Sequence, residues 1–195
     1  MITTVTAPTM RAVTLEEARQ QLRLDARDED LLLAVQLDAA QAELERSADV
    51  RLCPQTLAMS IEDWPSEIMV PIRPVTVASM TYTSAAGGAV TLLEPDYVVR
   101  VRHGFTRIRP AFGKSWPALG PDAVITITLS AGFAEGDPEL TIARAAILVK
   151  AASLFQNREG GPCLAFDTLV GRPALANHSR RFSRFRRLTH HSWQP

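Results

Sequence analysis

The chain has 195 residues, 46% hydrophobic and 22% charged, with 21 basic side chains against 21 acidic ones. That length suits one domain, or one domain with an elaboration, able to bury about 70% of its unfolded surface without metals or disulfides. The balance excludes collagen-like, wholly disordered and supercharged nucleic-acid-coating proteins. The longest apolar runs, such as Leu31-Leu32-Leu33-Ala34-Val35, fall far short of the ~20 residues that cross a bilayer. The polar, Thr-rich opening lacks the apolar core of a secretory signal, so the expectation is a soluble chain kept in a cytoplasm, with no membrane partner. Cys53 and Cys163 are too few for a disulfide framework or a zinc site and read as reduced thiols. Lys114 and Lys150 are the only lysines, a skew toward arginine that a GC-rich coding genome explains.

Residues 1–12 are read as a flexible N-terminus. Thr14-Leu15-Glu16-Glu17 is a capping box that opens a short helix to about Leu24, and Asp25 to Asp30 is an acidic turn into a longer helix, roughly Asp28 to Ala48. On that second helix Leu33, Leu37, Ala40, Leu44 and Ala48 make one apolar stripe. Leu32, Val35, Ala39 and Ala42 make a neighbouring one, so the apolar face is broad and needs packing on both flanks. After Pro54 the period changes to two. Strands are expected around Leu57–Ile61, Glu67–Ile72, Val75–Tyr82, Ala89–Leu93, Tyr97–Val101, Phe105–Arg109 and Ala123–Leu129, with a hairpin turn at Ala85-Ala86-Gly87-Gly88. The β-branched run Val124 to Leu129 has the composition of a central strand. Asp137 and Pro138 then restart a helix, as N-cap and first helical residue, that runs to about Asn157 and stops at Gly160-Gly161-Pro162. The fold class is therefore α+β: a helical core from residues 13–53 and 137–160, an inserted antiparallel β domain at 54–136, and an extended basic tail at 161–195.

Zero net charge hides a segregation. Between Thr14 and Asp49 ten acids face four arginines. From Arg172 to Pro195 there are six arginines, three histidines and no acid. Such asymmetry favours charge-complementary contact between subunits or with a partner. In the stretch Arg180-Arg181-Phe182-Ser183-Arg184-Phe185-Arg186-Arg187-Leu188 the aromatics interleave with arginines. Phe182, Phe185 and Leu188 fall on one side of a helix, and with Trp193 they would serve as anchors in a protein groove while the arginines pair with a partner's acids. A solvated tail and direct phosphate contact with nucleic acid are the competing readings.

Chemistry is sparse. His103, the only histidine outside the tail, sits in a hairpin-like Arg102-His103-Gly104 segment without a nucleophile pattern around it. Asp137 and Glu139 read better as helix caps than as an acid/base pair. Gly87-Gly88 lacks the spacing of a phosphate loop, and His190-His191 lacks a third ligand. No catalytic residue, metal site or cofactor is assigned, and the chain is not expected to be an enzyme.

Several segments in order resemble a known family. Val13-Thr14-Leu15-Glu16-Glu17-Ala18, Leu22-Arg23-Leu24-Asp25 and Asp28-Glu29-Asp30 with the Leu-rich helix after them look like the opening of head–tail connector (adaptor) proteins. These occur in long-tailed phages and phage-derived gene transfer agents. Pro71-Ile72-Arg73-Pro74-Val75, Pro95-Asp96-Tyr97, Ser115-Trp116-Pro117, Ala131-Gly132-Phe133 and Asn157-Arg158-Glu159 continue the match to about residue 160. The family's later segment usually ends in a short proline- and tyrosine-containing motif, where this chain carries its longer Arg/Phe tail. The resemblance implies a ring of copies, usually twelve-fold, under the portal protein of a filled capsid. Such a ring extends the DNA channel without sequence-specific binding and offers a platform to the next neck protein, a stopper or tail terminator. It implies a virion or gene-transfer-agent neck location after a spell in the bacterial cytoplasm. On this reading Arg180, Arg181, Phe182, Arg184, Phe185, Arg186, Arg187, Leu188 and Trp193 bind portal, and Leu33, Leu37, Ala40 and Leu44 pack subunit against subunit. The competing function is a DNA-binding packaging accessory acting through the tail.

Overall fold

The computed structural model describes residues 1–25 and 27–156. The chain divides into two compact units, Met1–Met10 with Arg51–Ala134, and Arg11–Val50 with the chain from Glu135 onward. The fold is α+β.

The first unit holds eight strands among the described residues: β1 (Ile2–Thr6), β2 (Gln55–Ile61), β3 (Ile68–Met69), β4 (Val75–Thr83), β5 (Ala89–Leu92), β6 (Tyr97–Arg102), β7 (Phe105–Pro110) and β8 (Ile125–Ala131). They form a five-stranded sheet in the order β1-β2-β8-β4-β5 and a three-stranded sheet in the order β3-β7-β6, with antiparallel pairing throughout. β8 is central, as its β-branched content predicted. Its Ile125, Ile127 and Leu129 are fully buried and lie opposite Ile61, Met59 and Leu57 of β2. Each such side chain contributes about 1.5–3 kcal/mol by leaving water. Ile68 and Val70, with Ile108 and Tyr97 from β7 and β6, close the same core from the second sheet.

Two sequence expectations about this unit are corrected. Residues 2–6, expected to be flexible, form β1: Ile2, Thr3 and Thr4 pair with Met59, Ala58 and Leu57, and the terminal ammonium donates to the Ser60 carbonyl at 2.8 Å. The run is polar, but Thr is a good strand former once an edge is offered, and β2 offers one. The strand expected over Glu67–Ile72 shrinks to two residues, because Pro71 has no amide to carry the ladder onward.

The motifs within this unit have visible causes. Trp116 stacks on Trp64 with ring centroids 4.5 Å apart, Trp64 meets Tyr82 edge-on at 5.9 Å, and the Trp116 indole N–H donates to the Pro65 carbonyl at 2.7 Å. That cluster ties the loop before β8 to β4. Gly132 has φ +116°, and a Cβ there would stand 2.5 Å from the Cys53 carbonyl, so only glycine lets the chain leave β8 past Cys53 and Pro54.

The second unit contains α1 (Leu15–Leu22), α2 (Asp30–Ala48) and α3 (Pro138–Gln156). The capping box is present. The Thr14 hydroxyl accepts from the Glu17 amide at 3.2 Å, and the Glu17 carboxylate accepts from the Thr14 amide at 2.8 Å. α2 begins at Asp30 rather than Asp28, because residues 27–30 form a turn in which the Asp30 amide donates to the Arg27 carbonyl at 3.1 Å. The buried Arg19 braces this turn by donating to the Asp25 carbonyl at 3.1 Å. Asp137 caps α3 by accepting from the Glu139 amide at 2.8 Å. α2 packs along α3 and both touch α1. Ion pairs reinforce the bundle: Glu17 with Arg144, Glu43 with Lys150 at 3.2 Å and Asp38 with Arg11 at 2.5 Å.

The assignment of Leu33, Leu37, Ala40 and Leu44 to packing between subunits is also corrected. These residues are 0–2% exposed within the single chain, so they form its own core. A periodic leucine stripe identifies the buried face of a helix but not whose surface buries it.

Candidate docking surfaces

Turning the buried stripe of α2 inward leaves a second apolar stripe outward. At 3.6 residues per turn, Leu31, Val35, Ala39 and Ala42 lie opposite Leu33, Leu37 and Leu44. Leu31 is 86% exposed, Val35 66% and Leu32 38%, and Ala39 and Ala42 are exposed as well. Water gains nothing from such a face. A helix apolar on both sides is normally enclosed on both sides. Leu32, Val35, Ala39 and Ala42, which the sequence pattern expects to need a neighbour, are not enclosed by the described residues. Arg46 and Asp38 flank the stripe, and Asp38 is held by the bidentate Arg11 at 2.5 and 2.8 Å.

The Arg/Phe segment assigned to portal binding, Arg180 through Leu188 with Trp193, lies outside the described residues, as do Cys163, His178, His190 and His191.

His103 sits at the tip of the β6–β7 hairpin with φ +53°, exposed. Glu17 is held below its ordinary carboxylate range, first by the Thr14 amide, with the Thr14 hydroxyl and Arg144 adding to it against the opposing effect of burial. Tyr97 is pushed up by burial and by nearby Glu94. Cys53 is a buried free thiol. Among the described residues no three His, Cys, Asp or Glu side chains cluster as metal ligands. A shallow open groove of about 460 Å³ runs along Met1, Ser60, Ile61, Glu62, Asp63, Trp64 and Pro65. Its lining includes two carboxylates, Glu62 and Asp63.

Sequence reading missed one charged surface. Arg100 and Arg102 alternate with valines on β6, and Arg107 and Arg109 flank Ile108 on β7. The alternation was visible in the sequence. Its convergence required the register, which sets Arg100 opposite Arg107.

The described residues present two such surfaces, the outward apolar stripe of α2 and the arginine-bearing β6–β7 hairpin. No protein-family model matches the chain, and no curated protein matches it either. Solved structures do. The chain is similar to one in the neck of an empty gene transfer agent particle computed with C6 symmetry, at 26% identity and TM-score 0.70, over 83% of this chain and 87% of that one. It is similar in fold to a chain of the virion of a native gene transfer agent particle, at 24% identity and TM-score 0.71, over 85% and 92% of the two chains. A third likeness is to a chain in the neck of a native particle computed with C12 symmetry, at 24% identity and TM-score 0.65, over 83% and 86%. The connector resemblance in the sequence and these likenesses in three dimensions agree: this chain has the fold of a neck protein of phage-derived gene transfer agent particles.

Proposed function

We propose that this chain is a structural, non-enzymatic head–tail adaptor that assembles as a ring, twelve-fold by the connector resemblance, on the portal of a phage or gene-transfer-agent particle. The ring extends the DNA channel and presents a platform to the next neck protein. Before assembly the subunit resides in the bacterial cytoplasm. The observation that carries this reading is the likeness, over more than four-fifths of the chain, to components of symmetric particle necks.

The outward stripe of α2 supports it independently, because a closed ring needs a repeated heterologous contact in which one face of each copy meets a different face of the next. Leu31, Leu32, Val35, Ala39 and Ala42 are assigned to that lateral contact, in place of the residues that the chain's own core consumes. The arginines and aromatics of Arg180 to Leu188, with Trp193, are assigned to portal. Single arms of this kind bind weakly after ordering costs, but tethered copies around a ring act together and release slowly.

The test is co-sedimentation of the full chain with purified portal ring. Co-migration with portal, lost when Phe182 and Phe185 are changed to Ala, is the expected result. Migration apart from portal would overturn the portal assignment, and if duplex DNA were retained instead the packaging-accessory reading would replace it.

A further inference from the structure

The β6–β7 hairpin carries a surface that the adaptor reading does not use. Directly paired residues of an antiparallel ribbon share a face, so the pairs Arg100–Arg107, Val98–Arg109 and Arg102–Phe105 put four arginines on one side. Val99 and Val101, with their partners Ile108 and Thr106, occupy the other side. Arg73 lies over the buried Phe105 ring at 6.0 Å from its centroid, which adds a fifth guanidinium to the arginine side. The acid on this face is Glu67, which holds Arg107 at 2.6 Å. Arg100, Arg102 and Arg109 are exposed, and no carboxylate among the described residues pairs with them.

We infer that this arginine face binds the phosphate backbone of duplex DNA, without sequence preference. Two features select that ligand over an acidic protein. Along a strand, alternate residues stand about 6.8 Å apart, and directly opposite residues about 5 Å apart. The result is a compact grid of cations suited to a regular row of phosphates, each of which a guanidinium can grip with two donors. Finally, the face offers no fully exposed apolar anchor: Val98 and Met69, the latter paired with Arg107, are half-buried, Phe105 is covered, and the exposed valines point the other way. Protein interfaces centre on such anchors. Phosphate contact needs none.

The inference stands whether or not the chain forms a ring, because the isolated full-length chain should show it. Fluorescence anisotropy with two unrelated labelled duplexes across a salt series measures it. Each phosphate contact contributes about −0.9 to the slope of log affinity against log salt. The triple variant R100S/R102S/R109S should therefore flatten the slope by about 2 to 3 and weaken binding at least about tenfold at 50 mM salt, equally for both duplexes. The corresponding lysine variant should restore the slope, and unchanged melting of both variants shows that the fold is intact. The tail triple variant R184S/R186S/R187S, measured alongside, leaves the hairpin's share of the slope in place. A serine variant with wild-type affinity and slope would overturn the inference. So would a loss of self-association with DNA binding untouched, which would reassign the face to a protein partner.

Discussion

Two neighbouring residues on α2, Val35 and Leu37, separate the chain's own stability from its proposed ring contact. Leu37 is 2% exposed and Val35 66% exposed. Truncating Leu37 to Ala removes three buried carbons and leaves a cavity in the helical core, at a cost of about 2–5 kcal/mol. For a chain of this length that lowers the melting temperature by roughly 5–15 °C. Val35→Asp alters a mostly exposed side chain in the single chain and should change stability by no more than about 0.5 kcal/mol. In a ring the effects reverse in order. Leu31, Leu32 and Val35 together expose roughly two side chains' worth of apolar surface, which a neighbouring copy would bury for about 3–6 kcal/mol per contact. An aspartate in its centre forfeits part of that and adds the cost of desolvating a carboxylate. Calorimetry on the free chain and analytical ultracentrifugation of portal-bound assemblies read the two effects separately. The expected pattern is a normal melt with no ring for Val35→Asp, and a depressed melt with ring formation surviving at low temperature for Leu37→Ala. A Val35→Asp chain that assembles as well as wild type would refute the assignment of the stripe.

Other outcomes follow from particular residues. Glu17 has its folded-state pKa lowered from the ordinary 4.5, so it stabilises the fold fully above that pH and loses the contribution as acid protonates it. The melting difference between wild type and Glu17→Gln should be largest near neutrality and shrink below about pH 4; a difference growing with acid would contradict the capping geometry. Thr14→Ala should lower stability by about 1 kcal/mol in a neutral-pH denaturant titration. Gly132→Ala forces a Cβ against the Cys53 carbonyl at a positive φ and should cost about 2–4 kcal/mol by the same titration. Truncation after Gly171 should leave the melt near wild type while abolishing co-sedimentation with portal, since it removes the Arg/Phe segment and none of the described elements.

The sequence carried the local rules well. Thr14 and Glu17 announced a capping box, Asp137-Pro138 a helix start, and the β-branched run around Ile125 and Ile127 a central strand, because each of those signals lies within a few adjacent residues. What it carried poorly depends on partners distant in the chain. Ile2–Thr6 becomes a strand only because β2 offers it an edge some fifty residues away. Leu33 and Val35 are equally apolar, and only the packing of α3 decides which one faces inward. The hairpin arginines become one surface through cross-strand register, which no local period reveals. Ser115-Trp116-Pro117 and Ala131-Gly132-Phe133 could be seen as motifs. Their causes, an aromatic stack on Trp64 and a close pass by Cys53, needed coordinates.

The most direct test of the central claim is a cryo-electron reconstruction of portal mixed with the full-length chain. The adaptor account expects a continuous ring of density beneath the portal into which the β sheets and the three helices fit, with the outward face of α2 at each contact between copies. Portal rings bare of added density, at concentrations where the chain is folded and in excess, would contradict it.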